Sequence, residues 1–251
     1  MKTIVLIPAR YQSTRFPGKP LARIGGTEMI VRVCRRVAEA FGDLAVATDD
    51  ERIRECVERN GFRAVMTSDA HRSGTDRVRE AYDILGSDAD IIINVQGDEP
   101  FIEPEQIRQL AACLENDPDA QLATLARRFN PEAGYEALED PNVVKVVCSD
   151  AGRALYFSRS VIPFVRGAER SEWPHKVPFH THVGIYAYRR EALREITKLP
   201  QSSLELAESL EQLRWLQAGY AISVAVTEFP TIGIDTPADL EAAEAFLRRQ
   251  E

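Results

Sequence analysis

Thr3-Ile4-Val5-Leu6-Ile7, closed by Pro8, is an unbroken apolar run, and its reading decides the fold. A strand with one wet face alternates apolar and polar residues. A run apolar at every position belongs to a strand covered on both faces, as in parallel sheets. The same kind of run returns at Leu44-Ala45-Val46-Ala47 and, most strongly, at Ile91-Ile92-Ile93-Asn94-Val95. Helical patterns lie between and after them. Ile30, Val33, Cys34, Val37 and Phe41 recur at helical spacing behind Thr27, which is expected to cap that helix. Ile53, Cys56 and Val57 form the inner face of the next, stopped at Asn60-Gly61. Pro104 opens another, with Ile107, Leu110, Ala111 and Leu114 on one stripe. The alternation predicts an α/β fold with a doubly wound, mostly parallel sheet.

The middle of the chain reads differently. Strand candidates at 122–126, 143–147, 154–157 and 181–188 have few helices between them, and Pro141, Pro163, Pro174 and Pro178 punctuate the connections. This predicts a smaller β-rich lobe at about residues 122–200, carried within a single domain spanning 1–251. A helix near 204–216, a strand at 222–226 and a last helix close the chain. Asp235-Thr236-Pro237 supplies the start signal of that last helix, and Leu240, Ala243 and Leu247 its inner face.

Composition narrows the class. The 251 residues carry 31 Lys+Arg against 39 Asp+Glu, a net charge of −8. That balance argues against a nucleic-acid-coating surface, which needs net positive charge. With 44% hydrophobic and 28% charged residues, the chain is an ordinary globular sequence. Cys34, Cys56, Cys113 and Cys148 form no C-x-x-C pair and read as free thiols in a reducing compartment. The apolar run before Pro8 is too short for a signal peptide, and no stretch approaches the roughly 18 apolar residues of a membrane span. A cytoplasmic protein without membrane insertion is expected.

Ligands of open parallel sheets bind beyond the carboxyl ends of the strands. After the first strand comes Ala9-Arg10-Tyr11-Gln12-Ser13-Thr14-Arg15-Phe16-Pro17-Gly18-Lys19-Pro20, three cations and two aliphatic hydroxyls with a glycine for close backbone approach. Such a loop suits a polyphosphate, or stands as a solvated basic loop. It is neither a Walker A loop nor a G-x-G-x-x-G turn. The strongest strand ends in Gln96-Gly97-Asp98-Glu99-Pro100, a carboxylate pair suited to a hard cation such as Mg²⁺. Asp235, after a short strand read at 231–234, is a second candidate ligand or a plain helix cap. On the 180–188 strand, His180, His182, Gly184, Tyr186 and Tyr188 share one face. That face reads as a hydrogen-bonding wall for a polar substrate, as half-buried packing, or, through H-x-H, as part of a zinc site. Glu208, Glu211, Gln212 and Trp215 share a helical stripe that reads either as a hydroxyl-binding face or as a solvated one.

Taken in order, these segments resemble a known family. Ile7-Pro8-Ala9-Arg10-Tyr11, with Ser13, Arg15 and Pro17-Gly18-Lys19-Pro20-Leu21, is similar to the nucleotide loop of the sugar-activating cytidylyltransferases. Arg72-Ser73-Gly74-Thr75-Asp76-Arg77, Asn94–Pro100, His182–Tyr186, Glu208–Arg214 and Gly233–Pro237 extend the match across nearly the whole chain. The pattern is closest to members that activate 3-deoxy-manno-octulosonate (KDO) for lipopolysaccharide biosynthesis. The resemblance implies a Rossmann-like nucleotidyltransferase that moves CMP from CTP onto the acid sugar, with CTP and KDO as its partners and a homodimer as its assembly. It implies that Arg10, Ser13 and Lys19 hold the triphosphate, with Arg15 and Arg77 as helpers, and that Ser73 and Gly74 border the cytosine. Lys19, Arg10, Asp98 and Asp235 become the catalytic set, with Asp98 and Asp235 ligating Mg²⁺. Gln96, Arg159, His182, Tyr186, Glu211 and Gln212 become the sugar-acid pocket, with Arg159 facing the carboxylate. A relative acting on 8-amino-KDO or neuraminate would share the nucleotide loop. A glycosyltransferase would want a D-x-D motif, which the loop after the strongest strand lacks. A nucleotide-sensing module would not need both carboxylates.

Overall fold

The computed structural model of the chain describes residues 1–12, 16–71, 73–230 and 233–248. Two compact units make it up, Met1–Arg108 with Thr231–Glu251, and Gln109–Pro230.

The first unit begins with β1 (Thr3–Ala9), the short strands β2 (Arg23–Ile24) and β3 (Thr27–Glu28), and α1 (Met29–Ala38). It continues through β4 (Leu44–Thr48), α2 (Glu51–Arg59), β5 (Ala64–Met66), α3 (Gly74–Ile84), β6 (Ile91–Asn94) and the start of α4 (Pro104–Asn116). The strands β6, β1, β4 and β5 stand side by side in that order, every pair parallel. Ile4, Val5, Leu6 and Ile7 are all buried, so β1 is covered on both faces, as its continuous apolar run predicts. Because β1 and β6 run parallel, the loops that follow them leave the same edge of the sheet.

Two expectations about helix starts are corrected. Thr27 does not cap α1; it pairs with Ile24 across a tight turn at Gly25-Gly26, both at positive φ (53° and 77°), and Glu28 holds the cap position with its side chain on Arg23 and not on the helix start. Two glycines at positive φ fit a two-residue hairpin, which here takes the place of a capping box. Phe41 lies beyond the end of α1, half-buried. At the other end of the chain, α10 (Pro237–Leu247) is capped by Thr236, whose hydroxyl accepts the Asp239 N–H, so Asp235 is not the cap. Ala243 of α10 is buried with Ile24, Met29 and Ile234, and Leu240 and Leu247 pack against them. Of the strand read at 231–234, Thr231 and Ile232 lie outside the described residues, and Gly233 and Ile234 belong to no strand.

The second unit holds a mixed sheet. Its elements are β7 (Leu122–Arg128), α5 (Gly134–Glu139), β8 (Lys145–Cys148), β9 (Ala154–Ser158), α6 (Trp173–Lys176) and β10 (His180–Arg189), then α7 (Arg190–Ile196), α8 (Ser203–Glu208), α9 (Gln212–Gln217) and β11 (Ile222–Val226). β7 pairs with β11 in parallel and with β10 antiparallel, while β8 runs antiparallel to both β9 and the start of β10. The helix expected over 204–216 is broken. Ser209 sits in the left-handed region (φ 52°, ψ 47°) and separates α8 from α9. Glu208, Glu211, Gln212 and Trp215 therefore do not share one stripe. Tertiary bonds hold the break: the Glu208 carboxylate accepts from Ser158 Oγ (2.7 Å) and Arg159 N–H (2.8 Å), and Arg159 Nε donates to the Glu208 carbonyl (2.6 Å).

All four cysteines are free, and burial pushes the Cys34 thiol up to about 12, consistent with an inert packing role. Among the described residues no helix is long and apolar enough to cross a membrane.

Candidate active site

The loops after β1 and β6 enclose a cavity of about 250 Å³. Pro8 and Ala9 line it from the end of β1, Arg10 from the loop that follows, Ser73 and Gly74 from the start of α3, Gln96, Gly97 and Asp98 from beyond β6, and Asp235 from the loop before α10. Its construction is local. Gly18, at φ 73°, donates its N–H to the Tyr11 carbonyl (2.9 Å) and starts a 3₁₀ turn over Lys19–Leu21. That turn delivers the Lys19 ammonium to Asp98 Oδ2 at 2.5 Å and Asp235 Oδ1 at 3.1 Å. Gly97 has no room for a side chain, because a Cβ there would stand 2.9 Å from the Pro8 carbonyl oxygen. Ser73 caps α3 by accepting the Asp76 N–H (3.1 Å), which turns the helix start toward the cavity.

The two carboxylates thus converge on one cation at a parallel-sheet edge. Their hard oxygen donors fit a divalent ion of the Mg²⁺ class, which keeps water and phosphate in its remaining positions. Among the described residues no three His, Cys, Asp or Glu side chains gather into a closed metal cage. Glu99 departs from its expected role as partner of Asp98. Its Oε2 is buried and has no hydrogen-bond partner among the described residues, and burial together with the Asp98 charge raises the carboxyl to about 7.

Other predicted nucleotide residues fare differently. Arg77 lines the cavity but is buried, with Nη2 on Asp49 (2.6 Å) and Nη1 on Thr67 Oγ1 (2.6 Å). Ser13 and Arg15 lie outside the described residues. Sequence reasoning missed Asp49 and His71. Asp49 is the polar residue directly after β4, so the strand-end rule pointed to it. His71, which also lines the cavity, bonds Glu80 through Nε2 (2.6 Å) and precedes the Ser73-Gly74 segment by two positions.

Except for Gln96, the predicted sugar-acid residues belong to the second unit. His182 and Tyr186 pack ring against ring at 5.5 Å, and Tyr186 meets Trp215 edge-on at 5.1 Å. Burial lowers His182 to about 3 and raises Tyr186, with Tyr188 and Glu211 adding to the latter. His182 Nε2 lies 2.9 Å from Thr124 Oγ1, so its ring is engaged inside the sheet and does not stand open as a zinc ligand. Gln212 is buried, and its Nε2 lacks a partner among the described residues. Arg159 is spoken for by backbone: besides the Glu208 carbonyl, it donates to Pro141 O (2.7 Å) and Ser209 O (3.3 Å).

A lysine between two carboxylates at the mouth of a parallel sheet suits a nucleoside triphosphate, and the fold is that of nucleotidyltransferases. A cytidylyltransferase from Leptospira borgpetersenii, 18% identical, shares it at a TM-score of 0.64 over 99% of this chain and 87% of its own. The chain belongs to the cytidylyltransferase family, whose model matches residues 4–223. The 3-deoxy-manno-octulosonate cytidylyltransferase of Phocaeicola vulgatus is 55% identical over 100% of this chain and 99% of its own. An 8-amino-3,8-dideoxy-manno-octulosonate cytidylyltransferase from Shewanella pealeana is 47% identical over 98% of this chain and 99% of its own. The solved structure of a CMP:2-keto-3-deoxy-manno-octonic acid synthetase complexed with CTP superposes at a TM-score of 0.91, with 42% identity and full coverage of both chains.

Proposed function

We propose that this chain transfers CMP from CTP to the anomeric 2-hydroxyl of KDO, giving CMP-KDO and pyrophosphate. The carrying observation is Lys19 held between Asp98 and Asp235 in the cavity at the sheet edge. In the reaction the sugar oxygen attacks the α-phosphorus, the bond to the β-phosphate bridge oxygen breaks, and the hydroxyl proton is lost to solvent. Phosphoryl transfer asks for positioning and charge more than for a protein nucleophile. Arg10 and Lys19 hold the triphosphate, while Ser73 and Gly74 border the base. Asp98 and Asp235 would hold Mg²⁺, which supplies charge neutralisation and a lowered pKa for the attacking hydroxyl.

Gln96, His182, Tyr186, Glu211 and Gln212 form the sugar-acid set. The buried Gln212 amide, whose Nε2 has no partner among the described residues, suits a hydroxyl-rich ligand. Arg159 uses one N–H of each terminal nitrogen on backbone and keeps the second of each for a carboxylate. The enzyme would serve lipopolysaccharide biosynthesis in the cytoplasm, as a homodimer. Exposed Phe164, edge-on to Trp173 at 4.8 Å, is an apolar group that such an assembly would cover.

The test is pyrophosphate release from CTP with KDO, 8-amino-KDO and neuraminate, each with and without Mg²⁺. Release with KDO in the presence of Mg²⁺ is expected. Preference for another acid would reassign the acceptor, and no release with any acid would overturn the reading.

A further inference from the structure

We propose that Arg52 is a positioning residue for the nucleotide loop: stacked on Tyr11, it holds the backbone that presents Lys19 to the triphosphate. The inference rests on the reading of Lys19 as a triphosphate ligand.

Arg52 occupies the first turn of α2, where the helix dipole disfavours a cation. Its placement there is over-determined by other contacts. Asp50, the cap of α2, accepts the Arg52 N–H (3.0 Å) and grips the guanidinium through Nε (3.0 Å) and Nη2 (2.6 Å). The fixed guanidinium lies over the Tyr11 ring, with Cζ 3.4 Å from the centroid. The ring's hydroxyl edge in turn abuts Gly18, where a Cβ would meet Tyr11 Cζ and Oη at 3.0 Å. The Tyr11 carbonyl also accepts the Gly18 N–H (2.9 Å). Ring and carbonyl together therefore set Gly18, and Gly18 sets the turn that aims Lys19. The helix anchoring this stack is itself fixed by buried Ile53, Cys56 and Val57. Arg52 lies outside the cavity lining, so it acts through Tyr11 and Gly18.

The test uses the full chain, with CTP binding by calorimetry and KM measured for both substrates. A cation on an exposed aromatic face is worth a small, measurable amount, so Arg52→Ala should raise the CTP Kd and KM about two- to fivefold. The KDO KM should stay at the wild-type value; a general loss of folding would instead lower kcat and leave both KM values unchanged. Arg52→Lys should recover most of the CTP affinity. Tyr11→Ala should reproduce the defect, and adding Arg52→Ala to it should cost nothing more. Wild-type CTP affinity in Arg52→Ala, or fully additive single effects, overturns the proposal. A wild-type chain that binds no CTP would instead sink the nucleotide reading on which it stands.

Discussion

Ile234 donates its backbone N–H to the Asp98 carbonyl at 3.0 Å, which ties the loop before α10 to the loop after β6. The bond sets Asp98 and Asp235 beside one another although most of the chain separates them in sequence. Because Thr236 does the capping, the Asp235 carboxylate is left for the cavity. Asp235→Asn keeps the shape and an oxygen for Lys19 but removes one charge. Folding stability should stay within about 0.5 kcal/mol of wild type. The Mg²⁺ concentration for half-maximal turnover should rise by about tenfold or more. A magnesium titration that does not move would remove Asp235 from the metal site.

Lys19 is the charge on which the cavity turns. Its side chain is 12% exposed and faces two carboxylates, so Lys19→Ala removes the ammonium on which both converge. It also deletes a cation whose interaction with the phosphates grows as charge develops in transfer. Turnover should fall by about 10²–10³, measured as kcat at saturating CTP and KDO. A defect confined to the CTP KM would mean that Lys19 only binds.

Gly97 tests the packing beneath the site. A Cβ there meets the Pro8 carbonyl oxygen at 2.9 Å, a backbone atom of a buried central strand that cannot swing aside. Gly97→Ala should cost about 1–3 kcal/mol in urea unfolding and weaken CTP binding, since both walls of the cavity shift. Gly42→Ala is the matched control, because a Cβ at that position meets open space. Equal unfolding midpoints for the two variants would refute the contact.

The parallel half of the fold was legible because its strands are apolar at every position, and buried strands such as 3–7 and 91–94 have few alternatives. The strand-end rule then led directly to Arg10, Lys19, Gln96 and Asp98. What the sequence hid were choices between equally good local chemistries. Thr27 and Thr236 both look like caps, and only the Gly25-Gly26 turn takes the first of them into a hairpin. The 204–216 segment has helical spacing throughout, yet bonds from Ser158 and Arg159, distant in sequence, hold it broken at Ser209. The same tertiary bonds explain why Arg159, read as a carboxylate ligand, is also a clamp.

That clamp is measurable. Arg159 joins the carbonyls of Pro141, Glu208 and Ser209, three backbone points gathered by one side chain. Arg159→Ala should lower stability by about 1–3 kcal/mol through the lost hydrogen bonds and also raise the KDO KM. CTP binding should be spared, because Arg159 does not line the nucleotide cavity. A variant as stable as wild type would leave Arg159 with ligand binding alone.

His182 should make the protein sensitive to acid. The Thr124 hydroxyl lies 2.8 Å from the Ile185 carbonyl and 2.9 Å from His182 Nε2. Donating its one proton to the carbonyl, the hydroxyl accepts from Nε2–H, which fixes the neutral tautomer. Burial lowers the folded value from 6.5 to about 3, so the unfolded chain takes up a proton that the fold excludes. The stabilisation is complete above pH 6.5 and decays as the pH falls from there toward 3, by up to ~1.4 kcal/mol per unit. His182→Gln keeps an N–H for Thr124 without titrating, so its unfolding free energy should fall less steeply than that of wild type over this window. Carboxylates elsewhere titrate alike in both proteins, and the difference between the two curves isolates the imidazole. Parallel curves would show that His182 accepts a proton within the fold.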